Sequence, residues 1–177
     1  MSAHITASHT ESSSVSTATV LSYLWAATRL CIGWEFLWAF LDKAFGLGHE
    51  TTAAHAWIAG GSPTRGFLSG SIGPLSGLYH AIAGVGLVDW LFMLGLLGVG
   101  VTLMLGISKW IGGIAGAVML VLMWSAVLPT ENNLFMDEHI VYAIILIALA
   151  LVNADETIGL GTWWKQTALV QRFPWLA

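Results

Sequence analysis

Apolar positions run along this chain in four long stretches, and polar positions collect between them. Residues 90–108 and 110–130 contain no charged side chain, and neither does the shorter run 140–154. The stretch 20–44 is equally apolar in outline but carries Arg29, Glu35, Asp42 and Lys43. A bilayer-crossing helix needs roughly 20 predominantly apolar residues, so the pattern predicts four spans joined by modest loops. Pro74 before the apolar stretch 75–83 and Gly84 after it predict a short helix, lying on the membrane or over the bundle. Pro129 ends the third stretch. Asp137 and Glu138 open the fourth, where the helix dipole favours negative charge.

Composition strengthens the membrane reading. Hydrophobic residues make up 56%, charged residues only 9%, and mean hydropathy is +0.77, far from an ordinary soluble surface. The fold class expected is therefore all-α, a four-helix transmembrane bundle with a long extracytoplasmic loop carrying a short interfacial helix. Residues 20–177 form a single domain, and 177 residues leave no room for a soluble domain beside it. Residues 1–19, rich in Ser, Thr and Ala, are expected to be a disordered tail. They lack the basic start of a signal peptide, and the segment that follows is long and charged. Cys31 is the only cysteine. It leaves no internal disulfide, CxxC pair or iron–sulfur ligation, and reads as a small packing residue.

Charge at the ends of the stretches sets orientation. Lys109, Lys165 and Arg172 fall on one side of a four-span topology. The opposite side receives the 46–88 segment with Arg65 and the acidic segment with Glu131, Asp137 and Glu138. The positive-inside rule then places both termini in the cytoplasm of a plasma-membrane protein. Gly98, Thr102 and Gly106 recur every four residues, and Gly112 and Gly116 form a GxxxG. Small residues of this kind let membrane helices approach closely, within one chain or between chains. Of ten tryptophans, Trp25, Trp90, Trp110, Trp163 and Trp164 suit interfacial belts. Trp34, Trp38 and Trp124 lie deeper, as core packing or as walls for a flat apolar ligand.

Candidate chemistry centres on the charged first stretch, because an ionisable group at membrane depth usually faces a bundle interior and marks function. Glu35 and Asp42 are seven residues apart and share a helix face, as Arg29 and Lys43 roughly do. Arg29 and Lys43 can snorkel toward an interface. Glu35, nearer the midplane, cannot, so a protonated side chain or a hydrogen-bonded partner is expected. Arg29 lies about 9 Å of helix rise from Glu35. The topology gathers Lys43, Asp89, Glu131, Asn132, Asn133 and His139 on the outer side, with the His139 imidazole suited to proton exchange. Such a rim suits either a polar substrate coupled to a membrane-soluble carrier or the docking of a partner protein. None of the six histidines lies mid-span, which argues against a clamped haem. No phosphate-cradling loop or nucleotide fingerprint is present, and nucleic acid is not an expected partner.

A set of short blocks resembles the DoxX family, including the DoxD-type membrane subunit of thiosulfate:quinone oxidoreductase. The blocks are Arg29-Leu-Cys-Ile-Gly33-Trp-Glu35-Phe, Asp42-Lys43-Ala-Phe45, Pro63-Thr-Arg-Gly-Phe-Leu68 and Pro74-Leu-Ser-Gly-Leu-Tyr-His80. They continue through Val88-Asp89-Trp90-Leu-Phe-Met-Leu-Gly95, Leu128-Pro-Thr-Glu131-Asn132-Asn133, Asp137-Glu138-His139-Ile-Val-Tyr142 and Gly159-Leu-Gly-Thr-Trp163-Trp164. The resemblance covers roughly residues 21–176. It implies a four-helix membrane protein that passes electrons from thiosulfate to quinone, coupling two thiosulfates to tetrathionate at the outer face.

Under that resemblance Lys43, with Arg65, Asn132, Asn133 and Arg29, would hold the dianionic substrate. His139, Glu131 and Glu35 would move protons, and Trp38 and Trp124 would flank the quinone ring. Quinone is then the electron acceptor and lipid the surroundings. A second oxidoreductase subunit or larger membrane complex is the expected partner. The competing class is a non-catalytic anchor or assembly subunit that docks a redox enzyme or respiratory complex. A small solute carrier is a third class, disfavoured because four spans show no inverted repeat.

Overall fold

The computed structural model describes residues 16–177, and residues 1–15 of the expected tail lie outside them. Secondary structure among the described residues is entirely helical. Helix α1 spans Thr17–Phe45, so it begins inside the stretch 1–19 expected to be a tail; the Ser16 side chain accepts a hydrogen bond from the Thr19 N–H and caps it. Short helices α2 (Arg65–Ser69) and α3 (Ser76–Ile82) follow, the second where Pro74 and Gly84 place it. Three long helices come next: α4 (Gly86–Leu105), α5 (Lys109–Val127) and α6 (Glu138–Leu151). The chain closes through α7 (Gly161–Lys165) and α8 (Ala168–Arg172). Asp137 caps α6 by accepting from the His139 N–H at 3.1 Å.

The four long helices run alternately up and down around one core. Ile32 and Phe36 of α1 meet Met93, Leu96, Val99 and Leu103 of α4, Leu120 of α5, and Ala143, Leu146 and Leu149 of α6. Chain order sets the neighbours: α1 packs on α4, α4 on α5, α5 on α6, with α6 returning to touch α1. Close approach depends on small residues. A Cβ on Gly100 would stand 2.8 Å from the Leu37 backbone nitrogen, and one on Gly116 would stand 2.7 Å from Leu146 Cδ1. The GxxxG of α5 is therefore consumed within the chain, with Gly112 against Thr102 and Gly116 against Leu146 and Val99. Gly98 departs from the expected stripe: it faces outward, with nothing near its Cβ position.

Helices α4 and α5 are each long and apolar enough to cross a membrane. Helix α1 has 29 residues but is interrupted by its four ionisable side chains, and α6 has 14 residues, about 21 Å of rise. Much of the outer surface is aliphatic, including Leu87, Leu94, Ile114, Val118, Leu122 and Ile144.

Residues 46–85 fold back over the bundle end formed by the C-termini of α1 and α5 and the N-termini of α4 and α6. The left-handed Gly46 (φ 66°) ends α1 and starts this return. Trp57 stacks edge-on against Trp90 at 4.5 Å, Ser71 Oγ donates to the Ala126 carbonyl at 2.7 Å, and the Tyr79 hydroxyl meets Leu122 O and Ser125 Oγ. The short helix thus lies over the bundle.

Candidate functional site

The antiparallel order places Lys43, Asp89, Glu131, Asn132, Asn133 and His139 at one end of the bundle, as their topology requires. Lys43, Asp89, Asn133 and His139 are each engaged by local partners. Asp42 is buried at the end of α1 and accepts backbone N–H groups from His49 (3.2 Å), Glu50 (3.0 Å) and Thr51 (2.9 Å), which folds the 46–52 turn back onto the helix. That turn brings Glu50 to Lys43 Nζ at 2.8 Å and sets the His49 ring edge-on to Trp38 at 5.1 Å. Trp34 lies 5.9 Å further along from Trp38. Asp89 is buried in the first turn of α4, where it accepts from Ser62 Oγ (2.9 Å), Thr64 Oγ1 (2.5 Å) and Thr64 N (3.2 Å). It pins the 60–64 turn and puts a carboxylate where the dipole of α4 favours negative charge.

On the other side of this end, His139 Nδ1 meets Asp137 Oδ2 at 2.7 Å. Trp124 Nε1 donates to the Phe135 carbonyl at 2.6 Å. Glu131, Asn132 and Asn133 lie on the exposed α5–α6 connection, where Thr130 Oγ1 bonds the Asn133 carbonyl. Arg65 is exposed at the start of α2, with its guanidinium against Gly84. No hydrogen bond or ion pair among the described residues joins any two of the ten residues expected to form a site. Trp38 and Trp124 stand on α1 and α5, and neither lines either of two hollows in the bundle.

Those hollows differ in kind. One, of about 480 Å³, is an open apolar groove between α5 and α6, lined by Ala117, Val121, Ala143, Ile144, Ile147 and Leu151 among others. The second, of about 10 Å³, lies at the opposite end of the bundle beside Arg29, Thr102, Lys109 and Asp155, and has room for about one water molecule.

Arg29 belongs to that opposite end. It is 2% exposed. Nη1 donates to the carbonyls of Leu103 and Met104, and Nη2 donates to that of Ile158. The last carbonyls of an α-helix have no partner within it, so Arg29 caps α4 and ties α1 to the segment after α6. Asp155, buried next to it, is 3.4 Å from Lys165 Nζ, and Glu156 is 2.5 Å from the same ammonium. Arg29 Nε and Asp155 Oδ1 make no hydrogen bond among the described residues. The hydrogen bond from Lys165 holds the Glu156 carboxyl below its ordinary range. Burial pulls the Lys165 ammonium down, but Glu156 and Asp155 outweigh it and hold the group above its ordinary value.

No family profile, curated protein or solved structure matches the chain. Geometry therefore carries the functional argument.

Two placements depart from sequence expectation. Glu35 does not turn into the bundle: it is exposed on the outer face of α1, next to the exposed Cys31 and Trp34. Six helical residues place it about 120° around the axis from Arg29, and only Arg29 faces α4. Asp155 and Lys165, the centre of the charged cluster at the Arg29 end, were absent from the expected site. A signal existed in Asn153-Ala-Asp-Glu156: carboxylates just past a helix C-terminus oppose the dipole and need a cation.

Proposed function

We propose that the chain is a plasma-membrane protein of DoxX type, crossing four times with both termini cytoplasmic, and that it is the membrane subunit of a quinone-linked oxidoreductase. The observation that carries this reading is the distribution of polarity. Aliphatic side chains cover the sides of the bundle, while buried Asp42 and Asp89 organise one end and Arg29, Asp155 and Lys165 the other. Apolar Leu134, Phe135 and Met136 are exposed in the connection just before α6.

The α5–α6 groove supports a quinone as co-substrate. It is a shallow, open groove, and its all-aliphatic wall suits an isoprenoid tail lying along it. Lys43 and Arg65 stand at the same end as His139 and Glu131, so an anionic donor and the proton-transfer groups would share the outer rim. Two thiosulfates joined as tetrathionate release two electrons, which convert quinone to quinol with two protons.

The anchor reading draws on a different observation. Lys43 is engaged by Glu50 and His139 by Asp137, so the rim groups already have partners, as in a surface built to dock a redox enzyme.

The test is thiosulfate-driven reduction of a short-chain quinone by the protein in lipid nanodiscs, alone and with any stably co-purifying subunit. Turnover that Lys43→Ala or His139→Ala abolishes, with assembly intact, supports the oxidoreductase. Stable co-assembly without turnover supports the anchor.

A further inference from the structure

Two buried polar atoms at the Arg29 end have no hydrogen-bond partner among the described residues: Arg29 Nε, a donor, and Asp155 Oδ1, an acceptor. Both side chains are almost wholly buried, and both line the hollow of about 10 Å³. The two groups are opposite in charge and close together, yet they do not pair directly. Arg29 directs Nη1 and Nη2 to the carbonyls of Leu103, Met104 and Ile158, while Asp155 Oδ2 pairs with Lys165 at 3.4 Å. Glycines on two segments make room for this arrangement. A Cβ on Gly106 would stand 2.9 Å from Arg29 Nη1, one on Gly159 would stand 3.3 Å from Nη2, and one on Gly161 would meet Asp155 Oδ2. A buried donor and a buried acceptor left unpaired on the wall of one water-sized space are costly unless something joins them.

We infer that this hollow is a binding site for one water molecule, which accepts a hydrogen bond from Arg29 Nε and donates one to Asp155 Oδ1. Charge selects the occupant. A cation there would lie against the guanidinium and an anion against the carboxylate, whereas a neutral molecule that both donates and accepts satisfies each group. Volume selects its size, because about one probe sphere is the least space that holds a water. Two partners are enough to hold a buried water, and Thr102 and Lys109 are further polar residues of the wall. The water completes a connection that the side chains alone leave open. Arg29 of α1, already bonded to the end of α4, is joined through it to Asp155, and through Asp155 to Lys165 of α7. The segment after α6 is thereby tied to two long helices. The site lies apart from the α5–α6 groove and does not depend on the oxidoreductase reading.

The test is a crystal structure of the full chain, grown from a lipidic mesophase and resolved well enough to show ordered water, for wild type, Asp155→Asn and Asp155→Leu. The expected wild-type map holds a single peak within hydrogen-bond distance of both Arg29 Nε and Asp155 Oδ1. Asp155→Asn keeps a hydrogen-bonding group at that position and should keep the peak. Asp155→Leu removes it and should lose the peak. A direct Arg29–Asp155 ion pair that closes the hollow overturns the inference, as does a wild-type map without the peak or with an ion in its place. So does a peak that persists unchanged in Asp155→Leu. Should Asp155→Leu fail to fold, the wild-type and Asp155→Asn maps decide the matter between them.

Discussion

Replacing Arg29 by Met separates a structural arginine from a substrate-binding one. The guanidinium joins α1 to the Leu103 and Met104 carbonyls of α4 and to the Ile158 carbonyl, beside the Leu160 N–H that bonds the Leu105 carbonyl at 2.8 Å. Methionine keeps the length and apolar stem but none of the donors. Hydrogen bonds from a charged donor contribute about 1.5–3 kcal/mol each, and the Leu103 and Ile158 carbonyls would each lose one. Water reaching the half-buried Met104 and Ile158 carbonyls offsets part of the loss, leaving about 3 kcal/mol. For a chain of this size that corresponds to a fall in Tm of about 6–12 °C. Arg29→Lys should recover less than half, because one ammonium cannot fork between carbonyls on two elements. Thermal unfolding in detergent micelles, followed by circular dichroism and tryptophan fluorescence, reads the effect. An Arg29→Met protein that melts with wild type but loses quinone reduction would refute the structural role.

The remaining predictions concern packing and pH. Gly100→Ala should destabilise by about 1–3 kcal/mol, because the new methyl meets the Leu37 backbone, whereas Gly98→Ala should be neutral or better; denaturant titration in mixed micelles compares the two. The Glu156–Lys165 pair predicts stability lost at both pH extremes. Glu156 titrates below its ordinary 4.5 in the folded state, so its contribution is present above that pH and disappears as pH falls through the lower folded value. Lys165 titrates above its ordinary 10.5, so its contribution is full below that pH and is lost as pH rises through the higher folded value. Lys165→Met should flatten both limbs of a plot of Tm against pH, and a profile that still tracks wild type would show that the pair does not contribute.

Helix content was legible in the sequence because uncharged runs of this length leave few alternatives. Asp137 as the α6 cap and Pro74 ahead of α3 were legible for the same local reasons. The orientation of α1 was not. Most of α1 is apolar on every side, so periodicity does not say which face meets the rest of the protein. The side of Arg29 is fixed instead by Gly33 and Gly100, where α1 and α4 come closest. Lys43 and Asp42 were readable as residues near an interface, but their partners depend on the Gly46 and Gly48 turn bringing residues 49–51 back. The Arg29, Asp155 and Lys165 cluster joins residues more than a hundred positions apart, and only tertiary packing brings them together.

The proposed topology has four helices crossing the membrane and the Lys43 and His139 end at the exterior. Single cysteines at His55, Glu131, Glu156 and Gln171, each in a Cys31→Ser background, test it in intact cells with a membrane-impermeant maleimide. Positions 55 and 131 should label before permeabilisation, and 156 and 171 only after it. Labelling of 156 or 171 in intact cells, or equal labelling of all four in a soluble fraction, would contradict the account.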